Sequence, residues 1–142
     1  MKKFLILSGT VLLLLFALGI TGLSAVADLK RPSDYRIGVP YSTAISSGKP
    51  AVVLFYADWC GVCRRFMPVF SSVYYANSKN YSFSMVNTDK NNALSNKYGI
   101  RGIPAVYIVD KMYNKKYKIP IEYYSSVDEL TSILNEYLKR RR

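Results

Sequence analysis

After Lys2 and Lys3 the chain carries no charge from Phe4 to Ala27, and it is densest in apolar residues at VLLLLFALGI, residues 11–20. Asp28, Lys30 and Arg31 then restore polarity. About 20 apolar residues suffice to span a bilayer. A basic start, an apolar centre and Ala25-Val26-Ala27 also fit a secretory signal with an A-x-A cleavage site. Residues 1–27 are therefore expected to be a signal peptide or a retained membrane anchor, the length of the charge-free run favouring the anchor. Either leaves Lys2 and Lys3 in the cytoplasm and the remainder outside it, in the periplasm or an equivalent compartment.

Beyond the leader the periodicity changes from segment to segment. Residues 28–40 contain Pro32, Gly38 and Pro40 and read as a linker. YSTAISSGKP predicts a short helix stopped by Gly48. AVVLFYA, residues 51–57, is a continuous apolar run, the pattern of a central strand buried on both faces. From Gly61, the positions Phe66, Val69, Phe70 and Val73 recur at helical spacing, with Pro68 inside the helix as a kink. YSFSMVN alternates as a second strand, NNALSNKYG predicts a short helix ending at Gly99, and AVYIVD predicts a third strand. KKYKIPIEY reads as an edge strand in which Pro120 discourages pairing. Ser126 and Glu129 form a capping box opening a last helix with Leu130, Ile133, Leu134, Tyr137 and Leu138 on its buried face. The order helix, strand, helix, strand, helix, strand, strand, helix predicts an α/β fold over residues 41–142, a central sheet flanked by helices on both faces.

Composition narrows the chemistry. With no histidine among 142 residues, Ser-His-Asp and Cys-His catalysis and imidazole metal sites are excluded. The formal net charge is +11, but the positive residues are scattered except for Lys115, Lys116 and Lys118 and the terminal Lys139-Arg140-Arg141-Arg142. No nucleic-acid motif accompanies them, so no nucleic-acid partner is expected; they read as a solvated basic surface with some attraction to acidic partners or lipid head groups.

Both cysteines lie in ADWCGVCRR, at Cys60 and Cys63. A zinc site needs four ligands, and two thiolates without imidazole would leave carboxylates to complete it; no metal or other cofactor is expected. Covalent haem attachment requires histidine after the second cysteine, where Arg64 stands. A disulfide across two residues closes too small a loop to stabilise the chain much. A redox dithiol fits better. Cys60 ends an apolar strand where a helix begins, and the unpaired N–H groups and dipole at that helix start favour a thiolate. Thiolate is the form that attacks disulfides. Cys63, one turn on and more buried, can then attack the mixed disulfide and release the product. Trp59 is expected to cover the site as an apolar lid.

VVLFYADWCGVCRRFMPVF followed by KYGIRGIPAVYIVD resembles the thioredoxin superfamily, over roughly residues 45–140. The resemblance implies a thioredoxin-like fold with Trp59, Cys60, Gly61 and Cys63 as the active-site motif. It also implies Pro68 as the kinking proline and Pro104 as a cis-proline beside the cysteines, preceded by Ile103. The backbone of Ile103 would pair with an extended substrate segment, and Trp59, Val62, Ile103 and Pro104 would form the apolar contact patch. Four features depart from the family pattern. Leu54 stands where the family has a buried carboxylate that takes the proton of the buried cysteine, and Met85 where a lysine often partners it. Asp58 is the nearest substitute, acting through water. Gly-Val between the cysteines replaces Gly-Pro, and no glycine is evident before the last helix.

FYADWC behind an apolar leader is similar to exported, membrane-tethered thioredoxin-like proteins that deliver electrons to oxidised proteins outside the cytoplasm. The expected function is an extracytoplasmic thiol–disulfide oxidoreductase that reduces protein disulfides. Its partners would be disulfide-containing exported proteins and a membrane thiol electron donor, and a monomer suffices. An oxidase or isomerase of exported proteins, and a non-catalytic thioredoxin-fold binding module, are the alternatives.

Overall fold

The computed structural model describes residues 29–141; the leader expected at 1–27 lies outside them. Four strands form one mixed sheet in the order β2-β1-β3-β4, where β1 is Ala51–Tyr56, β2 Ser82–Asn87, β3 Ala105–Asp110 and β4 Lys115–Lys118. β1 runs parallel to β2, with Leu54 opposite Met85, and antiparallel to β3, with Leu54 opposite Val106. β4 pairs antiparallel with β3 at the edge and is exposed along its whole length.

The continuous apolar run of β1 has the expected cause: all six residues are buried, on two different faces. Val52, Leu54 and Tyr56 point into a core shared with α2 (Gly61–Asn77) and α4 (Val127–Arg140). There they meet Phe66, Met67, Phe70 and Val73 of α2 and Leu130, Ile133 and Leu134 of α4. Ala51, Val53 and Phe55 face the other way, towards Ala44 of α1 (Tyr41–Ile45) and towards Tyr98, just after α3 (Asn92–Lys97). Side chains alternate faces along a strand, so a strand between two helical layers needs apolar residues throughout.

The helix boundaries follow local chemistry. The Ser126 hydroxyl accepts from the Glu129 N–H at 3.1 Å, the capping contact expected at the start of α4. Gly99, at φ +60°, turns the chain out of α3, while Ile100 N–H donates to Ser95 O at 3.0 Å. Pro68 lies within α2, which continues to Asn77.

Two segments differ from the sequence reading. The strand expected over 115–123 ends at Lys118, and Ile121–Tyr124 is a 3-10 helix. Pro120 lacks the N–H that would continue the ladder. The Tyr124 hydroxyl accepts from Val106 N–H at 2.6 Å and donates to Ile119 O at 3.2 Å, holding this segment against the end of β3. The lead-in read as a linker carries a 3-10 helix, Pro32–Tyr35, and packs on the domain, with Ile37 in the core. Gly38 makes this possible: at φ +77°, a Cβ there would stand 2.3 Å from Phe83 O, and Val39 N–H donates to that same oxygen at 2.9 Å.

Candidate active site

β1 delivers the chain directly to Cys60, which caps the N-terminus of α2. The sulfur takes the role that a serine hydroxyl usually plays in a cap: Cys60 Sγ accepts from the Cys63 N–H at 3.2 Å. An N–H and the positive end of the helix dipole therefore converge on this sulfur. Both cysteines are free thiols, Cys60 slightly accessible and Cys63 fully enclosed. Burial first, and the neighbouring Cys60 second, push the Cys63 thiol up to about 12. The two thiols thus differ in surroundings: Cys60 sits at the helix start with 6% exposure, and Cys63 is fully enclosed.

The Ile103–Pro104 bond is cis, as the resemblance implied. The loop lies beside Cys60, with its Sγ 3.8 Å from Ile103 O, to which the thiol donates. Pro104 is buried and Ile103 half-buried. Val62 on α2 is half exposed, so Val62, Ile103 and Pro104 form an apolar surface around Cys60.

Trp59 is 70% exposed, and its indole N–H donates to Asp89 Oδ2 at 3.0 Å. The residue expected to be an apolar lid is thus largely open to solvent and tied by its N–H to the loop after β2. Asp89, on the loop after β2, is the partner that sequence reasoning missed; its 30-residue separation from Trp59 left no local signal. Gly61 opens α2, and a Cβ there would meet Arg65 Nη1 at 3.7 Å, an ordinary contact. Arg64 folds back, its Nε donating to Asp58 O at 2.8 Å.

Leu54 is fully buried and lies in one cluster with Cys60, Cys63 and Phe66, with Met85 packed against it from the adjacent strand. The two departures from the family pattern are thus neighbours across β1 and β2, an apolar pair where the family places a charged one. Asp58 does not fill the gap by direct contact: its Oδ1 accepts from Ser33 N–H at 3.0 Å, tying the lead-in to the start of α2. Among the described residues no carboxylate hydrogen-bonds to Cys63, and no group of acids or cysteines is arranged to hold a metal. No helix among them is long and apolar enough to cross a membrane.

Comparison with known proteins agrees with this geometry. The thioredoxin-like protein HCF164, chloroplastic, of Oryza sativa subsp. japonica is 40% identical over 79 residues, covering 54% of this chain and 30% of that protein. Protein disulfide-isomerase erp38 of Neurospora crassa is 30% identical over 126 residues, covering 84% of this chain and 31% of its own length. The chain thus spans 30% and 31% of the lengths of these two relatives. Among solved structures, chloroplastic thioredoxin z superposes with a TM-score of 0.60 at 21% identity, over 70% of this chain and 91% of that one. The J-Trx1 fragment of ERdj5 gives 0.62 at 18% identity, over 70% of this chain and 48% of that one. At these identities the likeness speaks for the fold. The sequence profile of the family described as Thioredoxin matches residues 38–135, from the lead-in to the last helix, and the chain belongs to that family.

Proposed function

We propose that the protein is an extracytoplasmic thiol–disulfide oxidoreductase that reduces disulfides in exported proteins. The observation that carries the reading is the pair itself: the Cys60 sulfur at the helix start receives the N–H of Cys63, and Cys63 is the more deeply buried of the two, at 0% exposure against 6% for Cys60. Cys60 thiolate attacks one sulfur of a substrate disulfide; a Cys60–substrate disulfide forms and the other substrate sulfur leaves as thiolate, taking a proton from solvent. Cys63 then loses its proton and attacks Cys60 Sγ, forming the Cys60–Cys63 disulfide and releasing the second substrate thiol. Two electrons pass to the substrate, so each cycle needs a two-electron thiol donor to reset the pair, and a membrane thiol donor fits an exported protein.

Trp59, Val62, Ile103 and Pro104 receive the substrate segment, Gly61 opens α2 directly after Cys60, and Asp58 anchors the start of α2 to the lead-in. The N-terminal apolar segment supports the location, as a retained anchor or as a signal cleaved near Ala27. The test is the equilibrium reduction potential of Cys60–Cys63 against a glutathione or dithiothreitol series. A value near or below about −230 mV supports a reductant, whereas one near about −120 mV marks an oxidant and reverses the direction. A pair that never cycles removes the enzyme reading and leaves a thioredoxin-fold binding module.

A further inference from the structure

Past Pro104 the surface beside Cys60 continues to the 3-10 helix Ile121–Tyr124, where it forms two open depressions instead of one groove. The first, about 290 Å³, lies among Val62, Phe66, Val69 and Ile121, with the exposed Arg65 on its lining. The second, about 470 Å³, lies among Gly102, Ile103, Ile119 and Ile121, with the exposed Lys118 on its lining. Pro104, Ile121 and Tyr124 line both. Pro104 is buried, and Tyr124 is fixed by its two hydrogen bonds and by stacking on Phe66 at 4.8 Å between ring centroids. These contacts hold the shared floor in place.

Ile121 is 68% exposed. A single exposed apolar residue is ordinary, but this one lines two apolar hollows at once, and both hollows also reach Pro104, next to the Ile103 that contacts Cys60. The geometry points to Ile121 as a specificity-determining residue, one that selects an extended substrate segment with apolar side chains at alternate positions and an acidic neighbour. This rests on the disulfide-reductase reading above. Side chains on one face of an extended segment recur about every 6.6 Å, a spacing that lets two of them straddle one isoleucine. Arg65 and Lys118 supply the charge preference: neither forms an ion pair among the described residues, and Glu122, the adjacent acid, lines neither depression.

The experiment uses two synthetic peptides, each with one cysteine held as a mixed disulfide with glutathione. One has leucines at alternate positions before the cysteine and a glutamate beyond them; the other has serines throughout. The readout is the ratio of their kcat/KM values within each protein, so a general loss of activity cancels. The wild type is expected to prefer the leucine peptide about tenfold or more, the range one apolar contact supplies, and Ile121→Ala to reduce the ratio to within about threefold. Arg65→Gln with Lys118→Gln is expected to remove the salt-dependent part of the preference. A wild type that does not discriminate, or a ratio that survives Ile121→Ala, overturns the assignment. Oxidised glutathione serves as the control for the underlying reading: if the wild type cannot reduce it or either peptide, the reductase reading fails. Binding of the same peptides, with serine for cysteine, to Cys60→Ser/Cys63→Ser protein then decides the role of Ile121 independently, by the same loss of preference.

Discussion

The apolar surroundings of Cys63 lead to a specific kinetic expectation for the second half of the cycle. The perturbation is pH, applied to the step in which Cys63 attacks the mixed disulfide. Burial is the largest cause raising this thiol, and it persists when Cys60 is bonded to substrate, whereas the contribution of Cys60 itself is lost. The resolving thiol therefore stays raised by burial above an ordinary thiol, which lies at about 8.5. A thiol at about 8.5 is roughly 3% thiolate at pH 7; each further unit of upward shift lowers that fraction tenfold. With Leu54 and Met85 packed where a proton acceptor could stand, solvent hydroxide has to supply the base. The closing rate should rise about tenfold per pH unit from pH 6 to about pH 8. Stopped-flow fluorescence of Trp59, the single tryptophan and next to Cys60, reports the step at saturating peptide disulfide. A plateau below about pH 8 would refute the reasoning, because it requires a protein group that accepts the proton. Leu54→Asp is the companion variant. It should lose at least the roughly 2–5 kcal/mol of a buried leucine truncation by urea denaturation, and bring a plateau into the neutral range if it folds.

Other expectations concern the frame around the site. Asp89→Ala frees the Trp59 indole, so iodide quenching of its fluorescence should increase and substrate reduction fall about two- to fivefold, the range of one hydrogen bond; unchanged quenching argues against the tether. Tyr124→Phe leaves the Val106 N–H without its partner and should cost about 1–3 kcal/mol in chemical denaturation, with the loop beside Pro104 loosened; a cost near zero means that water replaces the hydroxyl. Among the described residues Ser84 Oγ is buried without a hydrogen-bond partner, so Ser84→Ala should be neutral or stabilise the fold by up to about 1 kcal/mol; a clear loss would reveal an unseen partner. At Asp110, burial acts to raise the carboxyl, but the Arg141 guanidinium at 2.7 Å and the Tyr137 hydroxyl at 3.2 Å outweigh it and hold the group below its usual range. A group depressed in the folded state contributes stability above its unfolded value of about 4, and that contribution is lost as pH falls through the folded value. Arg141→Ala should shift the acid unfolding limb to higher pH; an unmoved limb shows that the pair is inert.

What the sequence determined by itself is what short-range chemistry dictates. The unbroken apolar run of β1, the helical spacing of Phe66, Phe70 and Val73, and the Ser126–Glu129 cap each depend on residues within a turn or two, so they were legible. The same holds for Cys60 and Cys63, whose two-residue spacing and place at a strand-to-helix junction announce a dithiol. Tertiary structure alone decided what depends on residues far apart in the chain. Asp89 reaches Trp59 across 30 positions, and Tyr124 reaches Val106 across 18, which turns a would-be edge strand into the 3-10 helix presenting Ile121. Met85 meets Leu54 only through strand register, and Ile37 enters the core only because Gly38 admits the backbone of Phe83. Periodicity reports which face of an element is buried, but not which partner waits there. The cysteine pair was therefore visible in nine residues, while the surface proposed to choose its substrate emerged only when the sheet had brought the loops together.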